Sequence, residues 1–573
     1  MSVEEWNSNS HYINDHIEAH AKIKPNAIAL IDADDGKWVT WEQFNDSINM
    51  IAYKMITEGY QKGDIIANML PLLLEHIYFE YACFKIGVMW APLDVRLKTE
   101  EAVRSVKLLN PKASTFMHPD DTDSEDKWGN KKFYEFKQIA RRIRKECPFI
   151  KKFIQFSPEE DTDKGTISIL NWMKEARETW TNIKKNKYEY NKAIEKIKNA
   201  AKLVQPDDPI LIIYTTGTTG FPKPAMLTNE GITAQNLCLA KGFGINENDR
   251  MLVNLPPSHV GCQTEQLMTT LFAGGTAVFL HGFRADKSLK AIEQYKVTAL
   301  GQIPSLYVME WRLKDYDKYD LSSLRFALYG GQGVSRKFLE KLSKMAKFFG
   351  SGLGLTEMSG FVSYTPLDGT VDDILSSLGK DFPITPLSIR KPMREDGYAG
   401  EELPDGEIGE VCYSGPQVLK GYFGNEEATR KTISKDGVCY TGDLGFKDAK
   451  GLHLSGRSKF VIKPKGYQVY PPDIEAHIEK IPEVSLCAVI GAKHEVFTEG
   501  VVAFVELKKG RTLDAAKIHE HCKSLAAYMR PSLIVFLDEI PLNRVDKTDY
   551  AELYKIVDKY VNEERARGGW DAK

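Results

Sequence analysis

The 573-residue chain is predicted to be an α/β protein: a large N-terminal region of doubly wound sheets with a small β-barrel, followed by a small α+β C-terminal domain. Three observations predict this. The length exceeds what one hydrophobic core supports, so several layers and at least one further domain are required. Short β-branched runs alternate with helix-period segments as far as about residue 378, the pattern of parallel strands with crossover helices. From residue 379 alternation and close Gly/Pro punctuation indicate an antiparallel barrel or sheet, and beyond residue 456 a fresh mixture of helix and strand begins. The domains are therefore drawn at 1–456, with a β-rich part at 379–456, and at 457–573.

In chain order, Val39-Thr40-Trp41 leads into a helix that runs to residue 55. Residues 65–70 read as a buried strand, 75–86 as an apolar helix stopped by Gly87, and 88–93 as a second strand. Strand, helix and strand in that order form a βαβ unit and imply a parallel sheet. Residues 119–203 change character: Arg141-Arg142-Ile143-Arg144-Lys145 and Lys184-Lys185-Asn186-Lys187 make this the most basic stretch, with Tyr and Trp interspersed. A solvated helical insertion is the preferred reading and an RNA-binding face the distant one. Strands follow at 210–214, 250–255, 276–280, 299–303 and 326–329, with helices at 289–295 and 338–348. The last domain is read as helix 472–481, strands 485–490 and 501–507, helix 514–525 and strand 534–537.

Composition narrows the function. With 42% hydrophobic and 27% charged residues, and 76 basic against 79 acidic side chains for a net charge of -3, the chain is an ordinary globular protein and no dedicated nucleic-acid binder. Eight cysteines scattered without CxxC pairs indicate neither a zinc site nor a disulfide framework. The N-terminus lacks a leader pattern, Asp571-Ala572-Lys573 is not a peroxisomal address, and residues 77–92 are too short to span a bilayer. A cytoplasmic protein, monomer or homodimer, is expected.

The strand at 210–214 opens into Thr215-Thr216-Gly217-Thr218-Thr219-Gly220-Phe221-Pro222-Lys223. Glycines let backbone N–H groups turn into one concavity, threonine hydroxyls add donors and the lysine adds mobile positive charge, a combination suited to a polyphosphate. It is not a Walker A loop, because no Ser or Thr follows the lysine to hold a metal. Taken alone it is equally a polar connection between strands. Four further stretches accompany it: Leu255-Pro256-Pro257-Ser258-His259-Val260-Gly261; Gly352-Leu353-Gly354-Leu355-Thr356-Glu357; Tyr440-Thr441-Gly442-Asp443 with Gly456-Arg457-Ser458-Lys459; and, in the last domain, Lys463-Pro464-Lys465-Gly466-Tyr467-Gln468-Val469 with Pro541-Leu542-Asn543-Arg544-Val545-Asp546-Lys547. Read alone, His259 is more simply a satisfied structural residue, Glu357 a surface-loop carboxylate and Lys547 a solvated lysine.

In this order and spacing the five stretches resemble the adenylate-forming superfamily of acyl-CoA synthetases, peptide-synthetase adenylation domains and luciferase-like enzymes, from about residue 12 to 555. The resemblance implies an AMP-forming acyl-CoA ligase that uses ATP, Mg²⁺ and coenzyme A. Thr215 to Gly220 and Lys223 would hold the phosphates, and Gly330, Gly331, Gln332, Gly352 and Leu353 would border the adenine. Leu353 stands where the family usually has tyrosine, and Pro224 where glycine commonly follows the lysine. Thr356 would contact the α-phosphate and Glu357 would bind magnesium. Asp443 and Arg457 would hold the ribose, Lys459 would sit at the hinge, and Lys463, Lys465, Gly466 and Gln468 would border the pantetheine tunnel. His259 would line the acyl pocket and Lys547 would be the catalytic lysine. Glu265 is out of step with the aspartate that pairs an α-amino group in peptide-synthetase domains, so an amino acid substrate is disfavoured. A medium-sized hydrophobic acid is expected. Rival readings are an enzyme loading a carrier protein, a luciferase-like oxygenase and, from another class, an RNA-binding protein.

Overall fold

The computed structural model describes residues 3–117, 136–156, 165–215, 222–457, 460–464, 469–495, 498–543 and 547–570. The helix Leu74–Ile86 shows how the sequence sets the fold. Its residues from His76 to Ile86 are all buried, so it cannot be a surface helix and lies between layers. It ends where Gly87 takes up φ 73°, a left-handed conformation glycine adopts without the Cβ penalty. The flanking strands Ile65–Met69 and Met89–Pro92 pair in parallel, as the βαβ reading requires.

These strands are central to an eight-stranded sheet, in the order Gly421–Tyr422, Pro224–Thr228, Pro209–Tyr214, Met89–Pro92, Ile65–Met69, Ala113–Met117, Lys152–Phe156 and Ile167–Ser168. A seven-stranded sheet runs Phe348–Gly350, Phe326–Tyr329, Ala299–Gln302, Arg250–Val253, Thr276–Phe279, Ile28–Asp32 and Lys37–Thr40, parallel except at its last edge pair. The main core fills the space between and around the sheets, with Trp41, Trp90, Phe243 and Phe279 fully buried.

Three details differ from the sequence reading. The antiparallel unit is the four-stranded sheet Leu387–Arg390, Gly409–Tyr413, Cys439–Asp448 and Gly451–Arg457, and its two end strands do not pair with each other, so it is not closed into a barrel. Its apolar face, with Leu387, Ile389, Val411 and Tyr413, is covered by Met358 and Val362, so burial comes from a neighbouring segment and not from closure. The region read as a solvated helical insertion supplies two strands of the first sheet as well as the helices Ile169–Lys185 and Lys187–Ala201. Its aromatics face inward: Trp172 and Trp180 are buried and donate their indole N–H groups to Glu58 at 2.7 Å and Asp46 at 2.8 Å. Lys184 pairs with Asp46 at 3.0 Å, which removes both base-stacking rings and part of the charge from an RNA-binding role. The helix expected at 338–348 stops early, as Arg336–Leu342, because Phe348–Gly350 joins the second sheet as an edge strand.

The C-terminal region has a three-stranded sheet, Val484–His494, Thr498–Leu507 and Leu533–Leu537. The helices Pro471–Ile478 and Ala515–His521 cover one face through Ile474, Ile478 and Ile518. The helix Tyr550–Ala566, which the sequence reading omitted, covers the other through Leu553, Val557 and Val561. Among the described residues no helix is long and apolar enough to cross a membrane.

Candidate active site

A cleft of about 2380 Å³ runs between the large region and the C-terminal domain. Its lining includes Thr215, Lys223, His259, Gly330, Gly331, Gln332, Gly352, Leu353, Thr356, Glu357, Asp443 and Lys547, so the structure brings most of the described candidates to one space. Lys463 is exposed, outside that lining, with its backbone N–H donated to Glu499. Thr216, Gly217, Thr218, Thr219, Gly220, Lys459, Lys465, Gly466 and Gln468 lie outside the described residues, as does the side chain of Arg457.

The strands that flank the Thr/Gly stretch in sequence, Pro209–Tyr214 and Pro224–Thr228, pair antiparallel. The Thr215 N–H donates to the Lys223 carbonyl at 2.9 Å, which extends that pairing by one bond. The Lys223 ammonium lies 4.7 Å from the centre of the Tyr422 ring, a cation–π contact, and the Tyr422 hydroxyl donates to Glu357 Oε1 at 2.7 Å. Tyr422 thus ties the proposed phosphate lysine to the proposed metal carboxylate. The sequence reading omitted it because a single tyrosine in Gly421–Tyr422 carries no periodic or motif signal.

The Gly352 and Gly331 positions show why glycine is needed here. A Cβ on Gly352 would lie 1.9 Å from the Ser363 carbonyl oxygen, so no larger residue fits without moving backbone. The Leu353 N–H beside it is held by Ser363 Oγ at 2.9 Å. Gly331 has φ 90°, and a Cβ there would sit 3.9 Å from the Lys547 Cε. That distance brings the lysine of the C-terminal domain against the glycine turn after Phe326–Tyr329. The Lys547 loop is pinned through its own backbone: Lys547 N–H donates to Asn543 Oδ1 at 3.1 Å, and Asn543 N–H to the Lys547 carbonyl at 2.7 Å.

His259 precedes the π-helix Gly261–Met268, a form concentrated at functional sites because its widened turn re-aims side chains. Burial lowers its pKa most, the nearby Arg96 and Lys547 charges lower it further, and Asp94 opposes them. The imidazole is therefore neutral at physiological pH. Its Nε2 lies 3.8 Å from Asp94 Oδ2, too far for a hydrogen bond, and has no hydrogen-bond partner among the described residues. Asp94 is itself held by Arg96 through paired contacts at 2.9 and 2.6 Å. An orphaned buried nitrogen facing a cleft fits a ligand oxygen that completes it.

Asp443 is buried on Cys439–Asp448, directly opposite Arg457 on the neighbouring strand. Beside it the Gly442 N–H donates to Glu410 Oε1 at 3.1 Å. Burial raises the Glu410 carboxyl, with Asp443 adding to the shift. The donor set fits MgATP: the Glu357 carboxylate is a hard oxygen ligand, phosphate oxygens and water supply the remaining positions, and Lys223 and Lys547 supply positive charge.

The family model described as AMP-binding enzyme matches residues 17–423, and the AMP-binding enzyme C-terminal domain matches 473–547. A putative acyl-CoA synthetase, YngI, of Bacillus subtilis (strain 168) is 26% identical over 554 residues, spanning 95% of this chain and 96% of its own. The indoleacetate–CoA ligase of Aromatoleum aromaticum is 33% identical over 356 residues, 61% of this chain and 68% of its own. ATP-bound MatB from Rhodopseudomonas palustris superposes with a TM-score of 0.74 at 24% identity, covering 95% of this chain and 99% of that one. The anthranilate CoA ligase AuaEII with bound anthranoyl-AMP gives 0.75 at 20% identity over 96% and 98%. At these identities the structural likenesses establish the fold, and the family model's reach over most of the large region establishes kinship: the chain belongs to the AMP-binding enzyme family.

Proposed function

We infer that this cleft carries out both half-reactions of an AMP-forming acyl-CoA ligase, the activity class to which the chain's relatives belong, with ATP and coenzyme A as co-substrates. An unactivated carboxylate resists thiol attack because its leaving group would be oxide. In the first step a carboxylate oxygen bonds to the α-phosphorus while pyrophosphate leaves. In the second the coenzyme A sulfur bonds to the acyl carbon, AMP leaves and the thiol proton passes to solvent. The first barrier is chiefly that of bringing two anions together, so positive charge and positioning matter more than a general base.

Lys547 and Lys223 supply charge from the two sides of the cleft, and Thr215 with the rest of its loop supplies donors to the departing phosphates. Glu357 and Thr356 would hold magnesium and the α-phosphate, magnesium supplying Lewis-acid neutralisation of the phosphate oxygens. Gly330, Gly331, Gln332, Gly352 and Leu353 border the adenine in this reading, and Asp443 with Arg457 accepts and donates to the ribose. The observation that carries it is the meeting of Lys547 with Gly331, in the same cleft as His259, Glu357 and Asp443. That is the disposition the adenylation step calls for. Thioester formation needs Lys547 withdrawn, which we assign to rotation of residues 457–573 about a hinge near Lys459, bringing Lys465, Gly466 and Gln468 to the cleft with Lys463 beside them. Relatives named for indoleacetate and 4-coumarate support an aryl or similarly sized acid. Eight free, buried cysteines support a reducing compartment, and we place the enzyme in the cytoplasm as a monomer or homodimer. The experiment is a panel of carboxylic acids scored by ATP-dependent pyrophosphate release. Release with at least one acid, followed by coenzyme A thioester formation, is expected. No release across aliphatic, alicyclic and aromatic acids would overturn the reading.

A further inference from the structure

Glu265 projects from the π-helix Gly261–Met268 into the cleft, and two glycines of separate segments leave room for its carboxylate. A Cβ on Gly261 would lie 3.7 Å from its Oε2, and one on Gly354 would lie 3.1 Å from its Oε1. A Leu255 methyl lies nearer the first position, at 2.9 Å, and the Gly360 carbonyl carbon and the Phe361 ring lie 3.5 Å from the second. The other carboxylates lining the cleft are engaged: Asp94 by Arg96, Glu357 by Tyr422, Glu410 by the Gly442 N–H, Glu475 by Tyr550, Glu479 by the Cys487 N–H, and Asp443 within its own strand pair. Among the described residues Glu265 accepts no hydrogen bond and forms no ion pair. Burial alone pushes its carboxyl up to about 8.

Glu265 is half-buried and open to water in the cleft, so the cost falls on a ligand that covers its carboxyl without bringing a partner and is avoided by one that brings it. We propose that Glu265 determines substrate specificity by receiving a hydrogen-bond donor, a hydroxyl or an ammonium, carried on the acyl part of the acid. This rests on the reading of the cleft as an acid-activating site. The donor must lie away from the reacting group, because an ionised Glu265 would repel both the substrate carboxylate and the phosphates. A hydroxyl pairs with the neutral or the ionised side chain; an ammonium draws Glu265 into an ion pair. An acid ending in hydrocarbon at that point buries the carboxyl unpaired, and sites built around a polar partner discriminate steeply against ligands lacking it. The sequence reading set Glu265 aside because it is out of step with an α-amino contact, but a donor farther along the acyl group does not need that register.

The test is pyrophosphate release by the full-length enzyme on matched acids: straight chains of graded length and para-substituted aryl acids, each offered with a methyl, a hydroxyl or an ammonium terminus. Wild type is expected to prefer a donor-bearing acid over its methyl counterpart by about tenfold or more in kcat/KM. Glu265→Leu should erase or reverse that preference, while Glu265→Gln should retain hydroxyl acids and lose ammonium acids. Should the leucine variant fold poorly, the glutamine variant decides alone. Equal use of methyl and donor acids by wild type, or the same ranking in both variants, would overturn the inference while leaving the ligase reading intact. No release with any acid would overturn the ligase reading and the inference together.

Discussion

Glu80 lies in the middle of the buried helix Leu74–Ile86, is 0% exposed, and neither of its carboxylate oxygens has a hydrogen-bond partner among the described residues. Burial raises its pKa well above the ordinary 4.5. The folded state therefore binds its proton more tightly than the unfolded state. The associated stability is fully present below the unfolded value and is lost as pH rises toward the folded one. Once the unfolded carboxyl has ionised, stability falls by about 1.4 kcal/mol for each further pH unit over which the folded carboxyl keeps its proton, a fall to be followed from about pH 5 to about pH 7. Glu80→Gln and Glu80→Met remove the titration, although the amide of the first is itself buried without a partner. Urea unfolding of wild type and both variants across that window is the assay. The stability difference between wild type and each variant is expected to shift steadily in favour of the variant as pH rises. A flat difference would mean that Glu80 ionises as readily folded as unfolded, and the burial argument would fail.

Two further predictions concern the cleft. Tyr422→Phe keeps the ring under Lys223 but removes the hydroxyl held by Glu357, a hydrogen bond to a charged group of about 1.5–3 kcal/mol; the magnesium concentration for half-maximal pyrophosphate release should rise about tenfold or more, with KM for the acid unchanged. Gly352→Ala places a methyl 1.9 Å from the Ser363 carbonyl oxygen, and the forced backbone shift should cost about 1–3 kcal/mol in stability and raise KM for ATP, read by thermal unfolding and steady-state kinetics.

Periodicity made the βαβ frame legible because the Ile65–Met69 and Met89–Pro92 strands are buried on both faces and the crossover helix between them is largely apolar, interrupted by His76, Glu80 and Lys85. Arg250–Val253, Thr276–Phe279 and Phe326–Tyr329 were legible for the same reason. The helix Asn229–Phe243 was missed because it is buried on nearly every side and mixes polar residues such as Gln235 and Asn236 into that interior, which erases an amphipathic stripe. Asn236 is tolerated there by hydrogen bonds to Gln235, Thr264 and Thr269 that only the fold assembles. Closure of the small sheet could not be read locally, since alternation along Gly409–Tyr413 reports one buried face and not what covers it. That Glu357, Asp443 and Lys547 share one cleft was legible because motif spacing carries them. Tyr422 and Asp94 meet Glu357 and His259, which are distant in the chain, and Arg96 reaches His259 only through Asp94, so none of the three leaves a motif signal.

The measurement that bears most directly on the convergence of Lys547 with the large region is the separation of the half-reactions in Lys547→Ala. Acid-dependent ATP–pyrophosphate exchange should fall by several orders of magnitude, while coenzyme A thioester formation from supplied acyl-AMP stays within a few-fold of wild type. Equal loss of both steps, or exchange at the wild-type rate, would contradict the account.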